Sequence, residues 1–304
     1  MNIVVTGATS FIGLALLKEL IKTHQVAAVV RPDSPQRGKL PKDQNLWIVE
    51  KDLTQISSLE TLPFERADVW IHMGWNGSGS ENRKNPALQQ SNIGHTLEAV
   101  RAAKRFGCRR FIFSGSQAEY GIHQTKITER TPCNPVSEYG KAKLETGNQA
   151  KGLCKSLNIE YIHTRIFSVY GPGDHPWTLV NTCLDTFLSG GEMVMGDCTQ
   201  WWNFLYIDDM ARAMAALAEA KDLPEGIYNI AGCDTRVLKE FVEEMHQLCG
   251  CKGTCAYGRL PVNAEGAANL LPDITKLQQA VNWRPEISFQ EGIRRIIREK
   301  QAAK

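Results

Sequence analysis

The stretch that decides the fold is residues 2–20, which read NIVVTGATSFIGLALLKEL. A short apolar run from Ile3 to Val5 meets a turn with Gly7, Ser10 and Gly13, and an apolar pattern of helical spacing follows directly. This order predicts a strand, a tight loop and a helix. The free N–H groups and the positive dipole end at such a helix N-terminus can hold a pyrophosphate. The stretch therefore predicts a dinucleotide-binding turn; a glycine-bearing turn without a nucleotide is the alternative.

One position of this turn departs from the usual G-x-G-x-x-G fingerprint. Gly7 permits the turn, and Gly13 lets the helix pack closely on the strand. Ser10 stands where the fingerprint has its middle glycine. Its Cβ and hydroxyl would lie near the pyrophosphate, so the fit of a dinucleotide must tolerate both.

The composition is that of a globular protein, with 42% hydrophobic and 22% charged residues among 304. This length allows one large α/β domain and a smaller lobe. A net charge of +2 without a block of lysine or arginine argues against binding nucleic acid or a membrane surface by electrostatics. No apolar run approaches the roughly 20 residues of a membrane span, and no signal-like segment opens the chain. We therefore expect a cytoplasmic protein.

The nine cysteines are scattered along the chain. Their odd number, without a secretion signal, predicts free thiols in a reducing compartment. His246, Cys249, Cys251 and Cys255 suggest a zinc site, but they lack a Cys-x-x-Cys knuckle and lie where a predicted helix leads into a strand. We expect no metal site.

The second predicted strand, Val26 to Val30, ends at Arg31. At this tip of a dinucleotide-binding sheet, an acidic residue accepts hydrogen bonds from the adenosine ribose, whereas a basic residue suits a 2′-phosphate. Arg31 therefore favours NADP(H) over NAD. The alternative is an arginine that is only solvated.

Three further strands are predicted: Leu46 to Val49, Ala67 to His72 and Phe111 to Phe113. Asp52 and Leu53 follow the first and suit the adenine end of a dinucleotide. Gly74 lies in the turn after the second, and the small residues of Ser114 to Gly121 form a loop after the third. Because the carboxyl ends of parallel strands share one edge, we expect these segments near the opening turn.

Two long helices are predicted, Pro86 to Phe106 and Ser137 to Leu157, side by side on one face of the sheet. Asn92 lies within the first, where asparagine has no propensity advantage, and this indicates a tertiary hydrogen bond. The second carries Tyr139 and Lys143, which share a helix face because they are four residues apart.

A nearby ammonium lowers the pKa of a tyrosine toward the range that a proton shuttle needs. A Tyr-x-x-x-Lys pair also arises by chance on helix surfaces. Its place after a serine-rich strand end and a dinucleotide turn favours a catalytic role for Tyr139 and Lys143.

Together these motifs resemble the extended short-chain dehydrogenases/reductases of the NAD(P)-dependent epimerase/dehydratase family, which act on nucleotide sugars. The resemblance covers nearly the whole chain, through TGATSFIG (6–13), Asp52-Leu53, FIFSGSQAEYG (111–121), YGKAK (139–143), RIFSVYGPG (165–173), FLYIDD (204–209) and WRP (283–285). It implies an α/β fold with a Rossmann-type doubly wound parallel sheet in residues 1–170. A smaller mixed α/β lobe, mainly residues 171–304, would bind the nucleotide sugar, with some segments returning to the first domain. A homodimer is also implied.

The resemblance implies roles for individual residues. Ser116 matches the serine or threonine that holds the substrate hydroxyl, Tyr139 the general acid/base, and Lys143 the lysine that bonds the nicotinamide ribose and lowers the tyrosine pKa. We expect cofactor contacts from Gly7, Ser10, Phe11, Ile12, Arg31, Asp52, Leu53, Gly74, Asn92, Ser114, Tyr139, Lys143 and Phe167. We expect substrate contacts from Ser116, Gln117, Ser168, Trp202 and Arg259.

Two departures from the family bear on the reaction. Gln117 and Ala118 stand where the 4,6-dehydratases have Asp-Glu, so dehydration is not expected. Ala118 also lacks the cysteine of the 3,5-epimerising reductases.

Other departures bear on substrate binding. The family has Arg-Asp before its Phe-x-Tyr-x-Asp-Asp motif, and this chain has Trp202-Asn203. Trp201 and Trp202 could stack a base or fill the core of the lobe. Ser168 replaces a substrate-contacting asparagine, and Arg259 is either a phosphate contact or a solvated arginine.

Two chemistries fit this site. A 4-ketoreductase of polysaccharide biosynthesis would bind NADPH, reduce an NDP-4-keto-6-deoxyhexose at C4 with Tyr139 as general acid, and release both products. An NDP-sugar 4-epimerase would keep NAD tightly bound, oxidise C4, let the keto sugar rotate and return the hydride to the other face. Arg31 and the altered phosphate-binding region favour the reductase. A non-catalytic dinucleotide sensor is a third hypothesis.

Overall fold

The opening strand lies inside a seven-stranded parallel sheet. The structure, a computed structural model, describes residues 1–79, 81–260 and 268–302. β1 (Asn2–Thr6) leads into α1 (Phe11–Leu20), as the opening stretch predicts, and Ile3 to Val5 are fully buried. A continuous apolar run is typical of a parallel strand that is covered on both faces.

The first part of the chain continues with alternating strands and helices: β2 (Gln25–Val30), β3 (Leu46–Glu50), β4 (Val69–His72), α2 (Pro86–Arg105), β5 (Arg110–Ser116), α3 (Glu138–Ser156) and β6 (Glu160–Ile166). The predicted strands and both long helices are confirmed, with small shifts at their ends. β6 was not predicted, because the buried polar side chains of His163, Thr164 and Arg165 interrupt its apolar pattern.

The second part of the chain has shorter elements: β7 (Ser168–Tyr170), α4 (Leu179–Leu188), β8 (Glu192–Val194), β9 (Trp201–Tyr206), α5 (Ile207–Glu219), β10 (Gly226–Ile230), β11 (Thr235–Val237), α6 (Leu238–Leu248), β12 (Thr254–Ala256), α7 (Thr275–Val281) and α8 (Phe289–Ala302). The sequence pattern of this part predicts helices over residues 177–188, 208–218, 237–248 and 293–300, and strands over 193–195 and 227–230. The first of these helices begins two residues later, at Leu179, and the Trp177 side chain is exposed. β7, β9, β11, β12 and α7 were not predicted.

The strand order of the large sheet is β10-β6-β5-β4-β1-β2-β3. β10 reaches this sheet from the second part of the chain and pairs in parallel with β6. The order reverses beside β1, which has β4 on one side and β2 on the other. In doubly wound folds a ligand crevice lies outside the carboxyl ends of the strands at such a reversal. The fold class is thus the Rossmann-type sheet that the sequence predicts.

Two small sheets, β11-β9-β7 and β12-β8, complete the described topology. Asp209, in the first turn of α5, forms hydrogen bonds with the segment that precedes α8. Its carboxylate accepts the N–H groups of Glu286 and Ile287 at 3.1 and 2.9 Å, and its carbonyl oxygen accepts Trp283 Nε1 at 3.2 Å. The FLYIDD and WRP motifs therefore meet in space.

No helix in the described ranges combines the length and apolarity that crossing a membrane requires. His246 belongs to the group of residues that suggested a zinc site, and its Nε2 lies 3.1 Å from the carbonyl oxygen of Gly253. Cys249 is buried, whereas Cys251 is exposed. Within residues 1–79, 81–260 and 268–302, no group of three or more potential ligands is arranged to hold a metal ion.

Candidate active site

The opening loop is closed by the side chain of Ser10. Its Oγ donates to the carbonyl oxygen of Gly7 at 2.8 Å and accepts the N–H of Gly13 at 3.0 Å as the N-cap of α1. The N–H groups of Phe11 and Ile12 lie in the first turn, where an α-helix has no acceptors of its own for them. These donors and the positive end of the dipole fit a pyrophosphate group.

Gly7 adopts a left-handed backbone conformation with φ of +72°. A Cβ at this position would lie 2.6 Å from the backbone nitrogen of Gly74, in the turn after β4. A Cβ on Gly74 would in turn lie 2.6 Å from the Leu53 side chain. The structure thus brings Gly7, Leu53 and Gly74, three of the predicted cofactor residues, together at one sheet edge.

Asp52 and Arg31 are neighbours at the tips of β3 and β2. Asp52 caps the 3₁₀ helix Leu53–Ser58, and its Oδ1 accepts the N–H of Thr54 at 2.9 Å. That bond lowers the pKa of Asp52 against the effect of burial, and the charges of Arg31 and His95 lower it further. Arg31, whose positive charge favoured a 2′-phosphate, therefore has the negatively charged Asp52 beside it. This weakens the electrostatic argument for NADP.

Two buried amides of α2 hold the loop after β4. Asn92 accepts the N–H of Asn76 at 2.7 Å and donates to its carbonyl oxygen at 3.0 Å, which confirms the predicted tertiary hydrogen bond. Gln89 donates to the carbonyl oxygen of Gly77 at 2.7 Å and accepts Trp75 Nε1 at 2.8 Å. Gln89 and Trp75 were not predicted as site residues; the only sequence signal was the position of Gln89, three residues before Asn92.

Lys143 is buried beside the end of β5. Its Nζ donates to the carbonyl oxygen of Ser114 at 2.7 Å and lies 3.8 Å from the centre of the Trp75 ring. Burial lowers the pKa of Lys143 to about 7, and the charge of Glu119 opposes this shift. The ammonium form therefore exists in balance with the neutral amine near neutral pH.

Tyr139 and Ser116 come together, as predicted. Burial raises the pKa of Tyr139, and the charge of Arg83 and the nearby Ser116 side chain act against the increase. The prediction that this pKa lies below its ordinary value is wrong for the protein alone. The reason is that desolvation outweighs the charge of Arg83, and that Lys143 Nζ lies 5.7 Å from the ring centre.

A buried charge cluster, Glu119 with His163 and Arg165, lies behind Ser116. Glu119 accepts the backbone N–H of Ser116 at 2.8 Å and Arg165 Nε at 2.8 Å, and His163 Nε2 lies 3.0 Å from the same carboxylate. Burial opposes ionisation of Glu119, but these partners outweigh it and lower its pKa. This cluster was not predicted. The only sign of it in the sequence is that Glu119, His163 and Arg165 are polar residues among mainly apolar neighbours.

The predicted substrate residues lie in different surroundings. Gln117 is half-buried in the short 3₁₀ helix that follows Ser116, and Ser168 is half-buried at the start of β7, where it pairs with β9. Arg259 is exposed, 3.9 Å from Glu192, as in the solvated alternative. Phe167, predicted on the cofactor side, has its side chain buried in the core beside Tyr120.

The two tryptophans of β9 differ in their environment. Trp202 packs against the main core, 6.3 Å from the Phe204 ring, whereas Trp201 is 44% exposed. Trp202 thus fits the alternative in which it fills the core. The buried Asn203 donates to the carbonyl oxygen of Gly232 at 3.0 Å, so the residue that replaces the family aspartate fastens β9 to the segment after β10.

A sequence profile of the NAD dependent epimerase/dehydratase family matches residues 3–231, more than half of the chain. The chain belongs to this family.

Similar proteins are found within the NAD dependent epimerase/dehydratase family. An uncharacterised UDP-glucose epimerase of Bacillus subtilis is 28% identical over 310 residues, 96% of each chain. The UDP-glucuronate 4-epimerase of Thermodesulfobacterium geofontis is 27% identical over 318 residues, 96% of this chain and 94% of its own. A crystal structure of UDP-glucuronic acid 4-epimerase from Bacillus cereus in complex with NAD superposes with a TM-score of 0.85 at 23% identity, covering 98% of this chain and 97% of that one. The family resemblance predicted from the motifs is confirmed.

Proposed function

We propose that this protein is an NAD-dependent 4-epimerase of UDP-sugars, and not the NADPH-dependent 4-ketoreductase that Arg31 favoured. The observation that carries the proposal is the convergence of Ser116, Tyr139 and Lys143 at the sheet edge that also holds the opening loop. The relatives support the choice of reaction, because both curated relatives described above are epimerases of UDP-sugars. The Bacillus cereus 4-epimerase contains NAD, which supports the choice of cofactor.

In this proposal Tyr139 moves the proton of the C4 hydroxyl. Its phenolate takes this proton while C4 is oxidised, and its phenol returns the proton to the C4 oxygen when the sugar is reduced. NAD held at the opening loop would supply the hydride acceptor and donor for C4, so no external reductant would be consumed. The Ser116 side chain favours the phenolate form of Tyr139, and we propose that its hydroxyl holds the sugar hydroxyl beside the phenol.

Lys143 supplies positive charge and hydrogen-bond donors at the cofactor side. The carbonyl oxygen of Ser114 and the face of the Trp75 ring hold its ammonium, and the buried carboxylate of Glu119 favours the charged form. The same three groups hold Lys143 at the end of β5, where we propose that its ammonium donates to the nicotinamide ribose.

The residues around Ser116 argue against dehydration. Gln117 and Ala118 carry no carboxyl group. The carboxylate of Glu119 is fully buried and bonded to Arg165, so it is not available to protonate a leaving hydroxyl. The proposed chemistry therefore ends with the return of the hydride to C4.

The experiment is an assay of purified protein with a panel of UDP-sugars and no added dinucleotide, in which NMR detects the C4 epimer. We expect turnover and NAD in the released cofactor. Tyr139→Phe should lose on the order of 10²-fold or more in rate while keeping the bound NAD. Tyr257→Phe, the same chemical change at the residue that follows β12, is the matched control and should keep the wild-type rate. Consumption of NADPH with a 4-keto sugar and no epimerisation would support the reductase instead.

The proposal includes a homodimer formed through α2 and α3, which pack side by side on the large sheet. It also includes a cofactor domain in residues 1–170 and a substrate lobe mainly in residues 171–304. Light scattering of the purified protein measures the subunit number. A monomer at all concentrations would contradict the dimer without affecting the proposed reaction.

A further inference from the structure

Arg83 is closer to the ring of Tyr139 than Lys143 is. Its guanidinium carbon lies 4.4 Å from the ring centre, compared with 5.7 Å for Lys143 Nζ. A guanidinium at this distance from an aromatic face makes a cation–π contact. None of the family motifs quoted above contains Arg83, and no local pattern distinguishes it from a surface arginine.

The surroundings of Arg83 hold it in this position. It lies in the short 3₁₀ helix Asn82–Lys84, and Gln89 of α2 donates to the carbonyl oxygen of Asn82 at 3.0 Å. Trp75 packs edge-on against the Tyr139 ring, with centroids 6.0 Å apart and planes at 82°. Arg83 Nε is buried and has no hydrogen-bond partner among the described residues, and the guanidinium lies over the Tyr139 ring.

Three groups on the elements packed around Tyr139 shift its pKa, against a background of burial that raises it. Arg83 and the Ser116 hydroxyl favour the phenolate, and the Glu119 carboxylate opposes it. Lys143, on the same helix, has a pKa of about 7, so it loses its charge as the pH rises through the neutral range. A guanidinium keeps its charge throughout that range. Arg83 is therefore the cation beside the ring whose charge is constant where the proposed reaction runs.

We propose that Arg83 is a positioning residue that acts through Tyr139: its guanidinium, fixed on the ring face, stabilises the anionic ring during proton transfer. This inference rests on the proposed role of Tyr139 as proton carrier. The family resemblance implies that Lys143 alone lowers the pKa of Tyr139, whereas this proposal gives part of that effect to Arg83.

The test compares three variants. Arg83→Met keeps an apolar contact with the ring and removes the charge, Arg83→Lys keeps the charge, and Lys84→Met removes a charge from the exposed neighbouring residue. We expect Arg83→Met to lose roughly tenfold in kcat/KM at neutral pH and to recover toward the wild-type rate as the pH rises. Arg83→Lys should restore most of the rate, and Lys84→Met should match the wild type at every pH.

A second measurement needs no substrate. Titration of ¹³C-labelled tyrosine, with the Tyr139 signal assigned by its loss in Tyr139→Phe, should show a higher pKa for Tyr139 in Arg83→Met. If that titration shifts but the wild type epimerises no UDP-sugar, the electrostatic role stands and the proposed function falls. If the titration is unchanged, or the rate loss is equal at every pH, the role of Arg83 is overturned.

Discussion

The carboxylate of Glu119 accepts a 2.8 Å hydrogen bond from the backbone N–H of Ser116. Both of its oxygens are buried, and Arg165 and His163 supply the remaining donors. The serine that we propose to hold the substrate hydroxyl is thus positioned from behind by a buried ion pair.

Glu119→Gln should lower the free energy of unfolding by about 3–5 kcal/mol, because it leaves the Arg165 guanidinium buried without its carboxylate. Urea denaturation measures the loss. The pKa of Glu119 is lowered in the folded state, so its contribution is present at neutral pH and lost as the pH falls through that folded pKa. The difference in free energy of unfolding between wild type and Glu119→Gln should therefore become smaller at acidic pH.

The control for this prediction is Glu138→Gln, which removes a carboxylate that pairs with Lys141 on the protein surface. It should change the free energy of unfolding by less than about 0.5 kcal/mol. Equal urea midpoints for Glu119→Gln and Glu138→Gln would contradict a structural role for the buried cluster.

Gly7→Ala should destabilise the protein by about 1–3 kcal/mol, because alanine is strained at a φ of +72°. The added Cβ would also press on the backbone of Gly74 and deform the edge proposed for the dinucleotide. Thermal unfolding and calorimetric NAD binding measure the two effects. Gly38→Ala is the control, since a Cβ there meets nothing within 4 Å. Unchanged NAD affinity in Gly7→Ala would argue against the opening loop as the binding site.

Ser10→Ala should cost about 1 kcal/mol of stability, because it removes the hydroxyl that accepts the N–H of Gly13. Ser10→Gly should cost only a few tenths, since glycine is tolerated at an N-cap and restores the usual fingerprint. Guanidinium denaturation of the two variants side by side separates these outcomes. A larger loss for glycine than for alanine would mean that the capping bond is not what Ser10 contributes.

Lys143 should make stability rise with pH above neutrality. Its pKa falls from 10.5 to about 7 on folding, so between these values the unfolded chain binds more protons than the folded one. The free energy of unfolding therefore increases with pH across that interval. Urea denaturation at several pH values should show that, from about pH 7 upward, the free energy of unfolding of the wild type increases relative to that of Lys143→Met. A difference that does not depend on pH would contradict the depressed pKa.

The errors of sequence reasoning have identifiable causes. β6 was missed because His163, Thr164 and Arg165 are polar side chains that the fold buries and bonds. The preference for NADP is not an error of this kind and stays untested: it depended on Arg31 alone, and the structure places the Asp52 carboxylate, 21 positions further along the sequence, near enough for the Arg31 charge to lower its pKa.

The sequence by itself determined the local features of this protein: the strand, turn and helix around Gly7, and the shared helix face of Tyr139 and Lys143. These depend on backbone preferences and on neighbours only a few residues away. Only the tertiary structure decided that Arg83 stacks on Tyr139, that Glu119 holds Ser116, and that burial raises the Tyr139 pKa. Desolvation and charge act through space between distant segments, so no local pattern specifies them.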